Sequence, residues 1–198
     1  ESSEPTFVGV FLINNQNVSD KRIRQAMSYA IDKDLLIEQN LQGKGIAPAT
    51  CVIPGSEYDC GLTWSRDVDK AKELLAEAGW DSSRKLKMAV TSARESMAAI
   101  IQQNLAEAGI TIDVQTVELA TAMSYPLWMS GYYDNKNATY CQITDTAYAE
   151  LQDKIAAETD EAKKKELVNE YQQLLWDEMP LVMLYNGYIF GVQSERFQ

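Results

Sequence analysis

Residues 86 to 117 constrain the fold more than any other stretch of this chain. Leu86 to Thr91 has strand character. Ser92 to Ala108 aligns Met97, Ile100, Ile101 and Leu105 at helical spacing, Gly109 caps that helix, and Ile110 to Val117 alternates Ile110, Ile112 and Val114 with polar neighbours. Strand, helix and strand in direct succession make a β-α-β unit. A crossover helix implies parallel strands, and the right-handed connection rule sets the side of the sheet on which it packs.

The flanking segments extend this into an α/β chain. Phe7 to Ile13 is a continuous apolar run, the pattern of a strand buried on both faces, and it ends at the polar tract Asn14 to Asn17. Ser19 and Asp20 offer N-cap side chains to a helix through Ile31, along which Ile23, Met27 and Ala30 recur. Asp32 and Asp34 start a second helical stretch, Leu35 to Leu41, with Gly43 and Gly45 as its terminators. Residues 43 to 65 read as loop. From Asp67, a stripe of Val68, Ala71, Leu74, Leu75 and Ala78 predicts a helix capped by Gly79. Leu119 to Cys141 holds no sustained period and reads mostly as loop. Helices follow over Asp145 to Ala157 and Asp160 to Glu178, and a final strand begins at Leu181 after Pro180.

Composition then removes function classes. With 198 residues and 45% hydrophobic content the chain is long enough for one domain with its own core. Lys and Arg number 18 against 29 Asp and Glu, a net charge of -11 that repels a phosphate backbone, so nucleic acid is not an expected partner. There is no histidine, which removes Ser-His-Asp and Cys-His nucleophiles and the usual zinc motifs. No cysteine spacing suggests a metal, no Gly-rich loop fits a nucleotide, and no cofactor is implied. No apolar run approaches the roughly 20 residues of a membrane span, and the start Glu1 to Pro5 is not a signal peptide.

Several residues remain as candidates, each with a structural alternative beside it. Cys51 and Cys60 lie in a Pro/Gly-containing loop that can close a small disulfide in an oxidising compartment; three reduced thiols, with Cys141, is the other reading. Tyr125, Trp128, Tyr132, Tyr133 and Tyr140 crowd one irregular stretch, where rings either stack on a ligand or pack the loop onto the core. Asn14, at the mouth of the first strand, and Tyr185, in the last, fall where open α/β sheets receive ligands. The acidic residues of the helix after Asp67 read as a solvated face with Lys70 and Lys72. A carboxylate-dependent glycosidase survives the absence of histidine, but it requires two carboxyls facing across a cleft about 5 to 10 Å apart. An interaction module working through the aromatic loop is a further class.

At residue level the chain resembles a known family. FLINN at 11–15 followed by SDKRIRQAMSYAIDK at 19–33 resembles the signature of the peptide/nickel-type extracellular solute-binding proteins of ABC importers. Gly43-Lys44-Gly45 with Ala47-Pro48-Ala49 and Ile53-Pro54, the helix DVDKAKELLAEAGW at 67–80, and Asp160 to Tyr185 resemble later motifs of the family in the same order. The resemblance implies a periplasmic-binding-protein type II-like C-terminal lobe, residues 1–198, with a mixed sheet flanked by helices. It implies a non-enzymatic partner set: a small peptide or similar solute, an N-terminal lobe, and a membrane permease. It places the protein outside the cell or in the periplasm, with a lipid anchor as one arrangement, and leaves nickel-chelate binding as an alternative cargo. Phe11, Asn14 and Tyr185 become the expected cleft or hinge contacts. Relatives usually carry a few tens of residues more near 123–126, including the acidic residue that holds a peptide's α-amino group. No position here takes that role, and Asp134 is not a substitute. Arg24 and Asp32, both within the motif, are expected to make helix-to-loop salt bridges.

Overall fold

The computed structural model of this chain describes residues 5, 7–118 and 146–188. The aromatic group Tyr125, Trp128, Tyr132, Tyr133 and Tyr140, together with Asp134, Cys141, Asp145 and the expected join near 123–126, lies outside the described residues.

Aspartates set where most helices begin. Helix α1 (Lys21–Ala30) starts where the Asp20 carboxylate accepts from the Arg22 backbone N–H. Helix α2 (Lys33–Leu41) starts where Asp32 accepts from Leu35 N–H at 2.8 Å, and α3 (Val68–Glu77) where Asp67 accepts from Lys70 N–H at 2.8 Å. After α4 (Glu95–Ala108) and α5 (Ala147–Ala157), helix α6 (Glu161–Glu178) is capped by Asp160 through the N–H groups of Ala162 and Lys163. Each such cap supplies an acceptor to otherwise unpaired donors and contributes about 1 kcal/mol. The other end of α1 is closed from a distance. The Ser28, Tyr29 and Ala30 carbonyls accept from the Trp64 indole, Asp67 N–H and the Arg66 guanidinium, respectively.

The strands are β1 (Phe7–Leu12), β2 (Gly45–Ile46), β3 (Lys85–Val90), β4 (Thr111–Thr116) and β5 (Leu181–Gly187). They form two sheets among the described residues. One is antiparallel in the order β1-β5-β2, with Phe7 opposite Gly187, Leu12 opposite Leu181 and Ile46 opposite Asn186. The other is the parallel pair β3-β4, from Lys85 opposite Thr111 to Val90 opposite Thr116, with α4 as its crossover. That is the β-α-β unit expected from periodicity. Gly109, at φ 97°, lets the chain leave α4: its N–H and that of Ile110 return to Ala106 and Leu105 carbonyls, a closure that needs a left-handed residue.

Three local expectations change. β1 was expected to be buried on both faces; it is a half-exposed edge, and β5, bonded on both sides, is buried at every position. Helix α2 turns over at Gln42, in left-handed conformation, before Gly43, while Gly45 enters β2 inside the segment read as loop. α6 ends at Met179, also left-handed, one residue before Pro180.

The main core joins α1, α2, α3 and α4 to the inner side of both sheets around Met27, Ala30, Leu36, Ala71, Leu105 and Val182. α5 and α6 close a second, smaller cluster, in which the Tyr148 and Tyr171 rings meet edge to face at 6.3 Å. Among the described residues no helix is long and apolar enough to cross a membrane.

Candidate functional site

Where the two sheets approach each other they leave a cleft of about 810 Å³. Its long walls are β1 and β3, whose residues 8–12 and 85–90 line it without a gap, and its floor is formed by Met27, Met97, Ala98, Ile101 and Leu184. A strand that turned a face to the cleft would contribute alternate residues; an unbroken run means that each strand presents its edge. Among the described residues each is bonded on one side only, β1 to β5 and β3 to β4.

Phe11, Asn14 and Tyr185 all line this cleft. Phe11 is half-buried on β1. Asn14 is exposed, and its carboxamide oxygen accepts from Gln16 and Asn17 N–H at 3.1 and 3.0 Å, so half of the group is committed to turning the chain out of β1. Tyr185 is 1% exposed, with its ring edge-on to Phe7 at 6.1 Å and its hydroxyl accepting from the Arg94 guanidinium at 3.1 Å. The ring lies over Gly9, its partner across the ladder. A Cβ at Gly9 would meet Tyr185 Cζ at 2.3 Å, so only glycine admits the ring there.

The electrostatics of the cleft run against those of the chain. Among the described residues Arg84, Lys85, Lys87 and Arg94 line it and no Asp or Glu does, although the chain as a whole carries a charge of -11. Arg84 donates to the Asn17 carbonyl and lies 5.4 Å from the Trp80 ring centre. None of the four forms an ion pair among the described residues. Asp81, Glu95 and Asp113 stand near them in sequence or register but do not reach the cleft. Among the described residues the cleft holds no facing carboxyls of the kind a glycosidase needs, and there is no group of side chains suited to a metal ion. Sequence reasoning passed over the four cations. The available signal was Arg84-Lys85-Leu86-Lys87, which puts charge on one face of a strand whose other face is apolar.

Other singled-out residues have structural employment. Arg24, 5% exposed, donates to the carbonyls of Val18, Ser19, Glu178 and Met179, and its contact with the Glu178 carboxylate is a longer 3.6 Å. The expected salt bridge is thus mainly a carbonyl clamp tying the entry of α1 to the end of α6. Asp32 caps α2 and lies 3.8 Å from Arg66. Cys51 and Cys60 are free thiols in the structure, so the disulfide expectation is not met there. Burial pushes the Cys51 thiol up to about 11, and Cys60 adds to the shift. Lys33, to which sequence reasoning assigned no role, is 1% exposed. Its ammonium donates to the Pro48 carbonyl at 2.7 Å and lies 4.7 Å from the Trp64 ring centre, and burial pulls its pKa down to about 7.

Helices packed on an antiparallel sheet and a parallel pair, with a cleft between the two, define an α/β lobe of the periplasmic-binding-protein kind. Its fold matches the periplasmic binding protein DppA from Helicobacter pylori, solved in complex with the peptide STSA, at TM-score 0.81 and 21% identity over 91% of this chain and 41% of that one. The chain belongs to the bacterial extracellular solute-binding proteins, family 5 (Middle), whose family model matches residues 1–150. Members of this family work outside the cytoplasm. Relatives include the oligopeptide-binding protein AppA of Bacillus subtilis, 30% identical over 143 residues (58% of this chain, 25% of AppA). The dipeptide-binding protein of Escherichia coli is 25% identical over 212 residues, covering 90% of this chain and 39% of that protein. The chain spans about a quarter of the length of the first curated relatives it matches.

Proposed function

We propose that this chain is the C-terminal lobe of a solute-binding component of an ABC importer. It captures an oligopeptide or similar small solute together with an N-terminal lobe and delivers it to a membrane permease. No bond is made or broken; binding favours the closed arrangement of the two lobes because the solute touches both only when they meet. The observation that carries this reading is the family match over residues 1–150, joined to an open cleft of about 810 Å³ that no Asp or Glu lines among the described residues. Phe11 and Tyr185 give the cleft apolar and aromatic surface, and Asn14 keeps its amide N–H donors at the mouth. A lipid anchor on the parent would hold the lobes within reach of the permease.

We also place a segment that relatives carry and this chain lacks near residues 123–126. In support, the alignment with the dipeptide-binding protein runs over 212 residues while covering 90% of this chain, so it is longer than the stretch of this chain it contains. Isothermal titration of the full-length parent with di- to pentapeptides, nickel ion and sugars tests the function. Saturable binding of peptides without turnover is expected. Failure of every solute, with hydrolysis of any of them, overturns it.

A further inference from the structure

Residues 51–60 are folded back on themselves by local bonds, and α6 holds the two ends of that fold. Ser56 N–H donates to the Ile53 carbonyl and Asp59 N–H to the Ser56 carbonyl, both at 3.1 Å, which makes two successive turns. The Asp59 carboxylate accepts from Gly55 N–H at 2.7 Å and from Gly61 N–H at 2.9 Å. Both glycines take a positive φ, 79° and 78°, and so reverse the chain on either side of Asp59. Gln172, 1% exposed on α6, spans the ends. Its carboxamide oxygen accepts from the Thr50 hydroxyl at 3.0 Å, and its amide donates to the Tyr58 carbonyl at 2.7 Å. Residues 50 and 58 are thus separated by one carboxamide and its two hydrogen bonds. Cys51 follows the first directly, and Cys60 stands two places beyond the second.

The thiols are placed to use that closeness. Both are half-buried, neither sealed from solvent nor loose in it. Cys51 packs against two groups at once, the α5–α6 cluster around Tyr148 and Tyr171 and the outer face of the antiparallel sheet at Leu181 and Met183. A cysteine acting only as a small hydrophobe there needs no second thiol at the far end of a pinned loop. A disulfide needs its two Cα atoms within about 7 Å, and the hydrogen bonds to Gln172 bring the loop ends toward that range in the reduced chain.

We propose that Cys51 and Cys60 form a reversible thiol–disulfide site whose oxidised form staples the 51–60 loop against α6. The structure holds the reduced form. The co-reactant is a low-molecular-weight disulfide. The Cys60 thiolate attacks one of its sulfurs, the small disulfide bond breaks, and one small thiolate leaves. Cys51 then gives its proton to water and attacks the Cys60 sulfur, expelling the second small thiolate. The two cysteines lose two protons and two electrons in all, and the small disulfide ends as two thiols. Cys60 attacks first because burial keeps the Cys51 thiol protonated. The family works outside the cytoplasm, where disulfides form and persist. The staple involves no solute, so it stands or falls apart from the transport reading.

The test equilibrates the 198-residue chain in glutathione redox buffers, quenches with acid, alkylates free thiols and digests with trypsin. Lys44 and Arg66 bound a tryptic peptide, residues 45–66, that contains Cys51 and Cys60 but not Cys141. In oxidising buffer this peptide should be recovered unalkylated and two hydrogens lighter, and a second cut after Glu57 should leave its halves joined. The equilibrium constant against glutathione should be about 10-fold larger, or more, for the folded chain than for the chain in urea, because the fold already holds the loop ends together. Amide exchange at residues 52–59 should slow about 10-fold on oxidation. Cys51→Ala should stop at a glutathione adduct on Cys60, and Cys141→Ala should leave every result unchanged. Recovery of alkylated 45–66 at every buffer ratio overturns the proposal, as does a bond from either cysteine to Cys141. So does an unfolded chain that oxidises as readily as the folded one.

Discussion

Replacing Lys33 by methionine should change how stability depends on pH more than it changes stability at any one pH. Lys33 is buried, with a carbonyl and an aromatic face beside its ammonium and, among the described residues, no carboxylate in ion-pair contact. Burial pulls the pKa from the ordinary 10.5 to about 7, against a smaller opposing effect of Asp34. The unfolded chain therefore binds this proton more tightly than the folded one. Between pH 7 and 10.5 the unfolded state holds more protons, so stability rises with pH across that window, and below pH 7 the full cost of the buried charge is felt. At about 1.4 kcal/mol per unit the whole shift corresponds to about 5 kcal/mol, of which about 2 kcal/mol is relieved between pH 7 and pH 9. Lys33→Met lacks the titrating group. It also strands the Pro48 carbonyl, at about 1–3 kcal/mol, but that loss does not vary with pH and drops out of the comparison. Urea unfolding followed by tryptophan fluorescence at pH 6, 7, 8 and 9 gives both curves. The original chain should gain about 2 kcal/mol on the variant between pH 7 and 9, about 1 M urea or slightly less at the slope usual for this size. Parallel curves, or a gain in the opposite direction, would show that the ammonium stays charged in the fold and that the desolvation argument fails.

Three further outcomes follow from the same structure. Arg24→Met should cost about 3 kcal/mol in urea unfolding, because it strands several carbonyls at once, and Arg24→Lys should recover less than half, since one ammonium cannot reproduce the guanidinium fork. Asn186→Leu should raise stability by about 1–2 kcal/mol, because both polar atoms of this 1% exposed side chain lack a hydrogen-bond partner among the described residues; a loss instead would reveal a polar contact at β5. In the reduced chain at pH 8, iodoacetamide should modify Cys60 faster than Cys51, whose thiol burial raises to about 11, and peptide mass mapping over time reads the order.

The helices were legible because their signals are local. Asp20, Asp32, Asp67 and Asp160 each cap a helix within three residues of themselves, and Gly109 closes α4 against carbonyls three and four residues back. The β-α-β unit was legible for the same reason, since its crossover length dictates its strand direction. Asn14 and Tyr185 were singled out from their places in the first and last strands and Phe11 from the family resemblance, and all three line one cleft. What they share it with was not legible. Arg94 reaches Tyr185 across 91 positions, and Arg84 reaches Asn17 across 67.

The amino-acid order alone determined the helix starts, the parallel pair and the family signature, all of which rest on contacts between near neighbours or on motifs read in line. Only the tertiary structure decided that β5, not β1, is the buried strand, that a lysine is sealed away from water, and that Arg84, Lys85, Lys87 and Arg94 come to line one cleft. Those outcomes depend on which distant segments meet, and burial belongs to the meeting rather than to either segment.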